Sequence, residues 1–460
     1  MTLPISQDLL RELDVPGPRY TSYPTADRFV EAFGDDAHRR ALRQRLAGPG
    51  RGAPLSLYVH IPFCESVCYY CACNKVVTRH HERAAAYLDA LDLEIGLYDD
   101  AIGTGAPVSQ LHLGGGTPTF LSDAELARLM RRLRASYAIV PGAELSIEVD
   151  PRTADAGRLQ HLADLGFNRL SFSIQDFAPG VQRAGHRIQS HDSVTSLMQA
   201  ARAIGFESIN VDLIYGLPRQ TAASFERTVA QTAALAPDRI ALYAYAHLPA
   251  RFKPQRRIVA AELPRGEDRL RMLGAAIDGF LAHGYDYIGM DHFARPNDAL
   301  AVAKRQGRLH RNFQGYSTQP DCDLIALGVS AIGRIGSTYS QNAKTLPEYV
   351  DALQQGRFPT VRGLALTRDD VVRRAVIMAL MCQGRVDFES IRLAHLVSVP
   401  EYFAAELVEL APMVEAGLVH LQPDAIELTA AGWYLVRAVA MVFDRHLQAD
   451  QTRERFSRIL

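Results

Sequence analysis

One rhythm limits the fold more than any other feature. From about residue 55 to 250 the chain repeats a short apolar strand, a polar or Gly-rich turn and an amphipathic helix. The strand candidates are Leu55–Ile61, Val108–Leu113, Glu144–Val149, Arg169–Ile174, Ser208–Ile214 and Arg239–Tyr245. Between them lie helical stripes. Ala84, Tyr87, Leu88, Leu91, Ile95 and Tyr98 share one face; so do Leu126, Leu129, Met130, Leu133 and Tyr137, and Val194, Leu197, Met198, Ala201 and Ile204. Ser122 and Glu125 have capping-box spacing at the start of the second helix. These stripes read as core faces. Six alternating units predict a parallel sheet with helices outside, either a partial barrel or an open doubly wound sheet.

In both architectures ligands collect at the carboxyl ends of the strands. Every unusual cluster in this chain falls there: Cys64, Gly114–Thr117, Glu148 and Asp150, Gln175 and Asp176, Asp212 with Tyr215–Pro218, and Tyr245–His247. One composite site is therefore expected.

Its most informative part is HIPFCESVCYYCACNK. Cys64, Cys68 and Cys71 have the spacing C-x3-C-x2-C. Four cysteines usually complete a [4Fe–4S] cluster, so three leave one iron open to another ligand. Phe63, Tyr69 and Tyr70 would shield such a cluster. A structural zinc site is the competing reading, but it normally needs a second ligand pair, and no second C-x2-C exists. Cys73 is a fourth ligand by count, though awkwardly close to Cys71 for the same cluster. The triple glycine after the second strand permits close backbone approach to a ligand.

Residues 251–365 are less regular, and 366–460 look helical, with a hairpin-like alternation over 417–432 that resembles a winged-helix module. That module carries no marked basic stripe. The net charge of −1 also argues against charge-driven nucleic-acid binding. MTLPISQDLLREL lacks a basic and then apolar leader pattern, and no apolar run is long enough to span a bilayer. The best candidate, Trp433–Phe443, is short and contains Arg437, so it reads as a buried helix. A cytoplasmic protein without membrane insertion is expected.

The cysteine spacing, the Gly114-Gly115-Gly116-Thr117-Pro118 turn and the six units resemble the radical SAM superfamily, which uses S-adenosylmethionine (SAM). Within it, the chain is similar over nearly its whole length to the oxygen-independent coproporphyrinogen III oxidase family. The resemblance rests on Pro16-Gly-Pro-Arg-Tyr-Thr-Ser-Tyr-Pro24, Tyr58-Val-His-Ile-Pro-Phe-Cys64, the extra Cys73, Ile147-Glu-Val-Asp-Pro151 and Ser173-Ile-Gln-Asp176. It continues through Asp212-Leu-Ile-Tyr-Gly-Leu-Pro218, Tyr245-Ala-His-Leu-Pro249, Met290-Asp-His-Phe-Ala-Arg-Pro296, His310-Arg-Asn-Phe-Gln-Gly-Tyr316 and Phe456-Ser-Arg-Ile459.

This resemblance implies a partial (β/α)6 barrel over 55–250, an N-terminal arm over 1–54, a barrel extension with the substrate region over 251–365 and a mostly helical, winged-helix-like domain over 366–460. It implies one [4Fe–4S] cluster on Cys64, Cys68 and Cys71, with Cys73 in the site but not a ligand. It also implies two SAM molecules. The first would contact Tyr58, Gly115, Glu148 and Ile332. The second would contact Tyr70 (where the family often carries Phe), Gly116, Thr117, Gln175, Arg187, Asp212 and Ala246. The implied reaction turns two propionates of coproporphyrinogen III into vinyl groups, giving protoporphyrinogen IX. An electron donor such as flavodoxin or ferredoxin, an unidentified electron acceptor and a monomeric state go with it. The basic residues Arg251, Lys253, Arg256, Arg257 and Arg311 are candidates for the substrate carboxylates. Competing readings are a haem chaperone of the same superfamily, which is shorter and lacks the arm, and an enzyme acting on another tetrapyrrole.

Overall fold

A strand buried on both faces belongs in a sheet covered on both sides. Strand β1 (Leu55–Ile61) is such a strand, buried at every position but Tyr58 even though Ser56, Tyr58 and His60 occupy one face. In the computed structural model, which describes residues 13, 15–290, 292–319 and 322–448, β1 lies at the centre of the main sheet. The first twelve residues, Asp291 and the Phe456–Ile459 motif lie outside the described residues.

The other expected strands follow as β2 (Ala106–Gly115), β3 (Tyr137–Val149), β4 (Arg169–Gln175), β5 (Ser208–Tyr215) and β6 (Arg239–Ala244). All pair in parallel with their sequence neighbours. The crossover helices are α1 (Glu82–Ile102), α2 (Asp123–Ser136), α3 (Ala156–Asp164), α4 (His191–Ile204) and α5 (Ala222–Ala234). Their predicted stripes are buried, Ile204 only partly. Each Leu or Ile buried there contributes about 1.5–3 kcal/mol. The capping box at Ser122–Glu125 is formed. Tyr137 departs from the helical stripe: its backbone is extended and it opens β3, while its N–H still caps Leu133. A helix face and the strand that follows it bury against the same core, so periodicity carries one residue too far.

The sheet extends beyond the six units. β7 (Asp286–Gly289), β8 (His292–Ala294), β9 (Asp323–Leu327), β10 (Ile332–Ile335), β11 (Thr338–Asn342) and β12 (Thr360–Ala365) bring it to twelve strands among the described residues. The order is β12-β11-β10-β9-β1-β2-β3-β4-β5-β6-β8-β7. The six parallel strands lie side by side in chain order, without the reversal of a doubly wound sheet, and the terminal strands do not meet, so the six form a partial barrel. The irregular stretch after residue 250 thus supplies both flanks of the sheet, in strands of three to six residues.

The C-terminal part is helical, with Val419–Leu421 and Ala425–Leu428 forming the expected hairpin and Arg385–Asp387 adding a third strand. The candidate apolar run holds the helix Val436–Val442, buried over its first five residues, Arg437 included. No helix among the described residues is long and apolar enough to cross a membrane. Arg437 donates to the carbonyls of Gly17 and Pro18, and Tyr20 donates to Asp444 at 3.0 Å, so the N-terminal arm is fastened to the last helices.

Candidate active site

The cysteine loop leaves the end of β1 and is closed by backbone pairing. Phe63–Cys64 pairs with Val76–Val77, and Val76 N and Thr78 N donate to Pro62 O and Cys64 O at 2.7 and 2.9 Å. Tyr87 of α1 donates to His60 O at 2.7 Å and holds the entry to the loop. The glycine turn at the end of β2 docks on this loop: Gly116 N donates to Ile61 O and Thr117 N to Phe63 O, both at 2.8 Å. The turn has no room for side chains. A Cβ on Gly116 would stand 2.7 Å from the Pro62 and Phe63 backbone. Gly115 has φ +117°, and a Cβ there would meet the His60 ring at 2.6 Å. Thr117 Oγ1 reaches Cys64 Sγ at 3.5 Å. Burial pushes the Cys64 thiol up to about 11. Cys71 and Cys73 share a hydrogen bond that lowers the Cys71 thiol and raises that of Cys73.

The next strand ends carry carboxylates. Glu148 accepts from Gly115 N at 3.1 Å, and His112 Nε2 lies 3.6 Å from it. Burial pushes this carboxyl up, but His112, the Gly115 N–H and His60 together outweigh it, so the net direction is down. Asp212 goes the other way, to about 7, because burial and then the charge of Glu148 oppose its ionisation, despite hydrogen bonds from Asn210 at 2.9 Å and Ser171 at 3.1 Å. Tyr58 donates to, or accepts from, His60 Nδ1 at 3.0 Å and stacks on His112 with ring centroids 6.0 Å apart.

Arg187 is committed to the protein. Its guanidinium makes a two-point ion pair with Asp150 at 3.0 and 3.2 Å, reaches Ser173 Oγ at 3.0 Å and touches Cys68 Sγ at 3.6 Å. Arg152 holds the same carboxylate and lies 3.8 Å from the same sulfur. Both arginines depress the Asp150 carboxyl against its burial. Gln175 sits at an irregularity in the β4–β5 pairing with φ +72°, a strained backbone for a side-chain-bearing residue. Its buried Oε1 has no protein partner. Gln255, 1% exposed, donates to both Tyr70 O and Ala246 O at 3.1 Å, tying the cysteine loop to the end of β6.

These groups surround one cavity of about 820 Å³, at the upper end of the roughly 300–1,000 Å³ common for ligand pockets. Cys64, Cys68, Cys71, Tyr70, Gly115, Gly116, Thr117, Glu148, Gln175, Arg187, Asp212 and Ala246 all line it, as does Cys73. Tyr58 does not; it backs Glu148 through the two histidines. Ile332, at the start of β10, also lies outside the lining. Among the basic candidates only Arg311 faces the cavity. Arg251, Lys253, Arg256 and Arg257 are exposed. They follow β6 in sequence, but the turn Lys253–Arg257 buries Gln255 and points its neighbours outward. Arg19, Arg152, Gln255 and the pair His60–His112 were not among the expected site residues. The His pair is visible as Tyr-x-His before the first cysteine and Leu-His-Leu before the glycines; Gln255 has no local signal.

The Radical SAM superfamily model matches residues 58–231, and a model described as the HemN C-terminal domain matches 366–435. The oxygen-independent coproporphyrinogen III oxidase of Escherichia coli K12 is 48% identical over 98% of each chain. That of Synechocystis is 40% identical over 100% of this chain and 99% of its own. The solved structure titled coproporphyrinogen III oxidase (HemN) from Escherichia coli, a radical SAM enzyme, superposes with a TM-score of 0.91 at 47% identity, covering 97% of this chain and 100% of that one. The chain belongs to the oxygen-independent coproporphyrinogen III oxidase family of the radical SAM superfamily.

Proposed function

We propose that the chain converts two propionate side chains of coproporphyrinogen III into vinyl groups without oxygen, giving protoporphyrinogen IX. The observation that carries this reading is the convergence of the cysteine loop, the side-chain-free glycine turn and buried polar groups lacking partners on one large cavity.

The residues fit the cofactors of the superfamily, a [4Fe–4S] cluster and SAM. Among the described residues no three His, Cys, Asp or Glu side chains converge as ligands of a single ion. A cubane asks for something else, one thiolate at each of three separate corners, and Cys64, Cys68 and Cys71 sit on one loop around the cavity mouth. Arg187, Arg152 and the Thr117 hydroxyl already point hydrogen atoms at Cys68 and Cys64, as thiolates require. When bound, the cluster and SAM supply a one-electron reduction and hydrogen-atom abstraction.

The protein supplies position and exclusion of water. Gly115 and Glu148 would meet the polar groups of one SAM, with Tyr58 and Ile332 behind. A second SAM would meet Tyr70, Gly116, Thr117, Gln175, Arg187, Asp212 and Ala246. Gln175 Oε1 is a waiting acceptor for it. Asp212, with its raised carboxyl, can enter as a donor or, on binding a cation, as an acceptor. Each substrate propionate loses one hydrogen atom, carbon dioxide and one electron. That electron would leave to an acceptor, and a donor such as flavodoxin or ferredoxin would supply the electron that each turnover consumes. The reading includes a cytoplasmic monomer.

An anaerobic turnover assay with the reconstituted cluster, SAM, reductant, an electron acceptor and coproporphyrinogen III tests it. Protoporphyrinogen IX together with 5′-deoxyadenosine is the expected result. SAM cleavage without a vinyl product would refute the substrate, and no SAM cleavage from an intact cluster would refute the chemistry.

A further inference from the structure

The cavity wall also carries two arginines from distant parts of the chain. Arg311 lies on the short strand His310–Asn312 and is 4% exposed. Arg19 comes from the N-terminal arm. Both line the 820 Å³ cavity. Arg311 donates one hydrogen bond, from Nη2 to the Arg19 carbonyl at 3.3 Å, while its Nε and Nη1 have no partner. Arg19 Nη2 likewise has none. Each guanidinium rests on an aromatic face: Arg311 over Tyr316 at 4.7 Å and Arg19 over Tyr243 at 5.4 Å. Ring faces hold the planar cations in place but accept no in-plane N–H bonds. Among the described residues no carboxylate pairs with either arginine.

Other arginines at the barrel ends behave differently. Arg187 is paired with Asp150, and Arg239 with Asp298 at 2.8 Å. A buried cation without a counter-charge is unfavourable unless a ligand supplies one. The neighbouring groups do not neutralise this pair. Burial and the two arginines lower His292 to about 3, so it stays uncharged, and burial lowers Arg311 itself. Arg311 also borders a small void with Ser56 and Gln110, near the amino-terminal half of β1 and β2. Cys64 lies beyond the opposite end of β1. Arg311 therefore reaches toward the amino-terminal side of the cavity, while Arg19 rests on Tyr243 close to the carboxyl end of β6.

We propose that Arg19 and Arg311 together form a carboxylate subsite, which holds a propionate of the substrate other than the one reacting. This rests on the tetrapyrrole reading above. A guanidinium fork matches a carboxylate with two N–H bonds. With one propionate anchored, the macrocycle is positioned so that another reaches the cluster end. The N-terminal arm thus becomes part of the substrate site through Arg19.

The test uses the reconstituted holoenzyme and coproporphyrin III, a stable tetracarboxylate, as the probe, with binding read by fluorescence quenching. KM for coproporphyrinogen III is measured alongside. Arg311→Gln and Arg19→Gln are each expected to weaken probe binding by about tenfold or more. Arg311→Lys should fall between wild type and Arg311→Gln, and cluster content should stay at the wild-type level. Wild-type affinity in both Gln variants overturns the subsite. If Arg311→Gln fails to fold, Arg19→Gln decides alone: tenfold weaker binding supports the subsite and wild-type binding refutes it. Failure of the unsubstituted enzyme to form protoporphyrinogen IX would instead count against the reaction assigned above.

Discussion

The two ends of the barrel are built from the same strands and differ in how their polar groups are treated. At the amino ends Glu144 pairs with Arg169, Arg202 with Asp238 at 2.6 Å and Arg239 with Asp298 at 2.8 Å. Gln110, Ser208 and Ile209 N complete these carboxylates. A cavity of about 280 Å³ lies among them, with nearly every charge answered. In the cavity at the carboxyl ends Gln175 Oε1 is left open on a strained backbone, Glu148 and Asp212 oppose each other, and the wall that Arg19 and Arg311 add keeps Arg19 Nη2 and Arg311 Nε and Nη1 open. One end secures the sheet; the other keeps donors and acceptors for ligands at a cost in stability.

The largest effect should come from the loop itself. Cys64→Ser, Cys68→Ser or Cys71→Ser is expected to remove both the cluster and SAM cleavage; full cleavage by any of the three would break the assignment of the carboxyl end as the reactive one. Gly116→Ala is next. The added methyl meets backbone 2.7 Å away and must displace the turn; shifts near 1 Å reduce rates by about a hundredfold. Steady-state kcat/KM measures this, and a change under about threefold would show that the turn tolerates bulk.

At the other end Asp298→Ala should lower unfolding free energy by about 3–5 kcal/mol, because it strands a buried Arg239. Activity per folded molecule should not change. Denaturant melts with matched kinetics decide; lost kcat in a fully folded sample would erase the division of labour between the ends.

The smallest effect concerns Asp212. Its carboxyl is raised to about 7 in the folded protein, from roughly 4 when unfolded. Ionisation therefore opposes folding: the penalty is absent below the unfolded value, grows as pH rises and is complete above about 7. Asp212→Asn should raise the Tm of cofactor-free protein at pH 8 by more than at pH 5. An equal shift at both pH values would mean that Asp212 is not a strained acid.

Local signals carried much of this site. The cysteine spacing, the glycine turn and the six strand ends are each readable within a dozen residues, and the strands are long enough to show periodicity. Strands β7–β12 are too short for that, and their place in the sheet depends on partners far along the chain. The basic cluster Arg251–Arg257 misled for a related reason. Proximity to a strand end says which rim a residue is near, but not whether it faces the cavity. That is decided by Gln255, whose partners Tyr70 and Ala246 come from two different strand ends. Arg19 and Arg311 are 292 residues apart, and only the folded chain brings them together.

The fastening of the arm has a consequence for synthesis. Arg437 grips the carbonyls of Gly17 and Pro18, Asp444 receives Tyr20, Tyr339 donates to Tyr23 O, and Val30 pairs with Gly363. All of these partners are translated hundreds of residues after the arm. The barrel and its cysteine loop can therefore take shape on the ribosome while the arm still has nothing to hold. The wall that carries Arg19 is among the earliest parts of the chain to be made and among the last to be set.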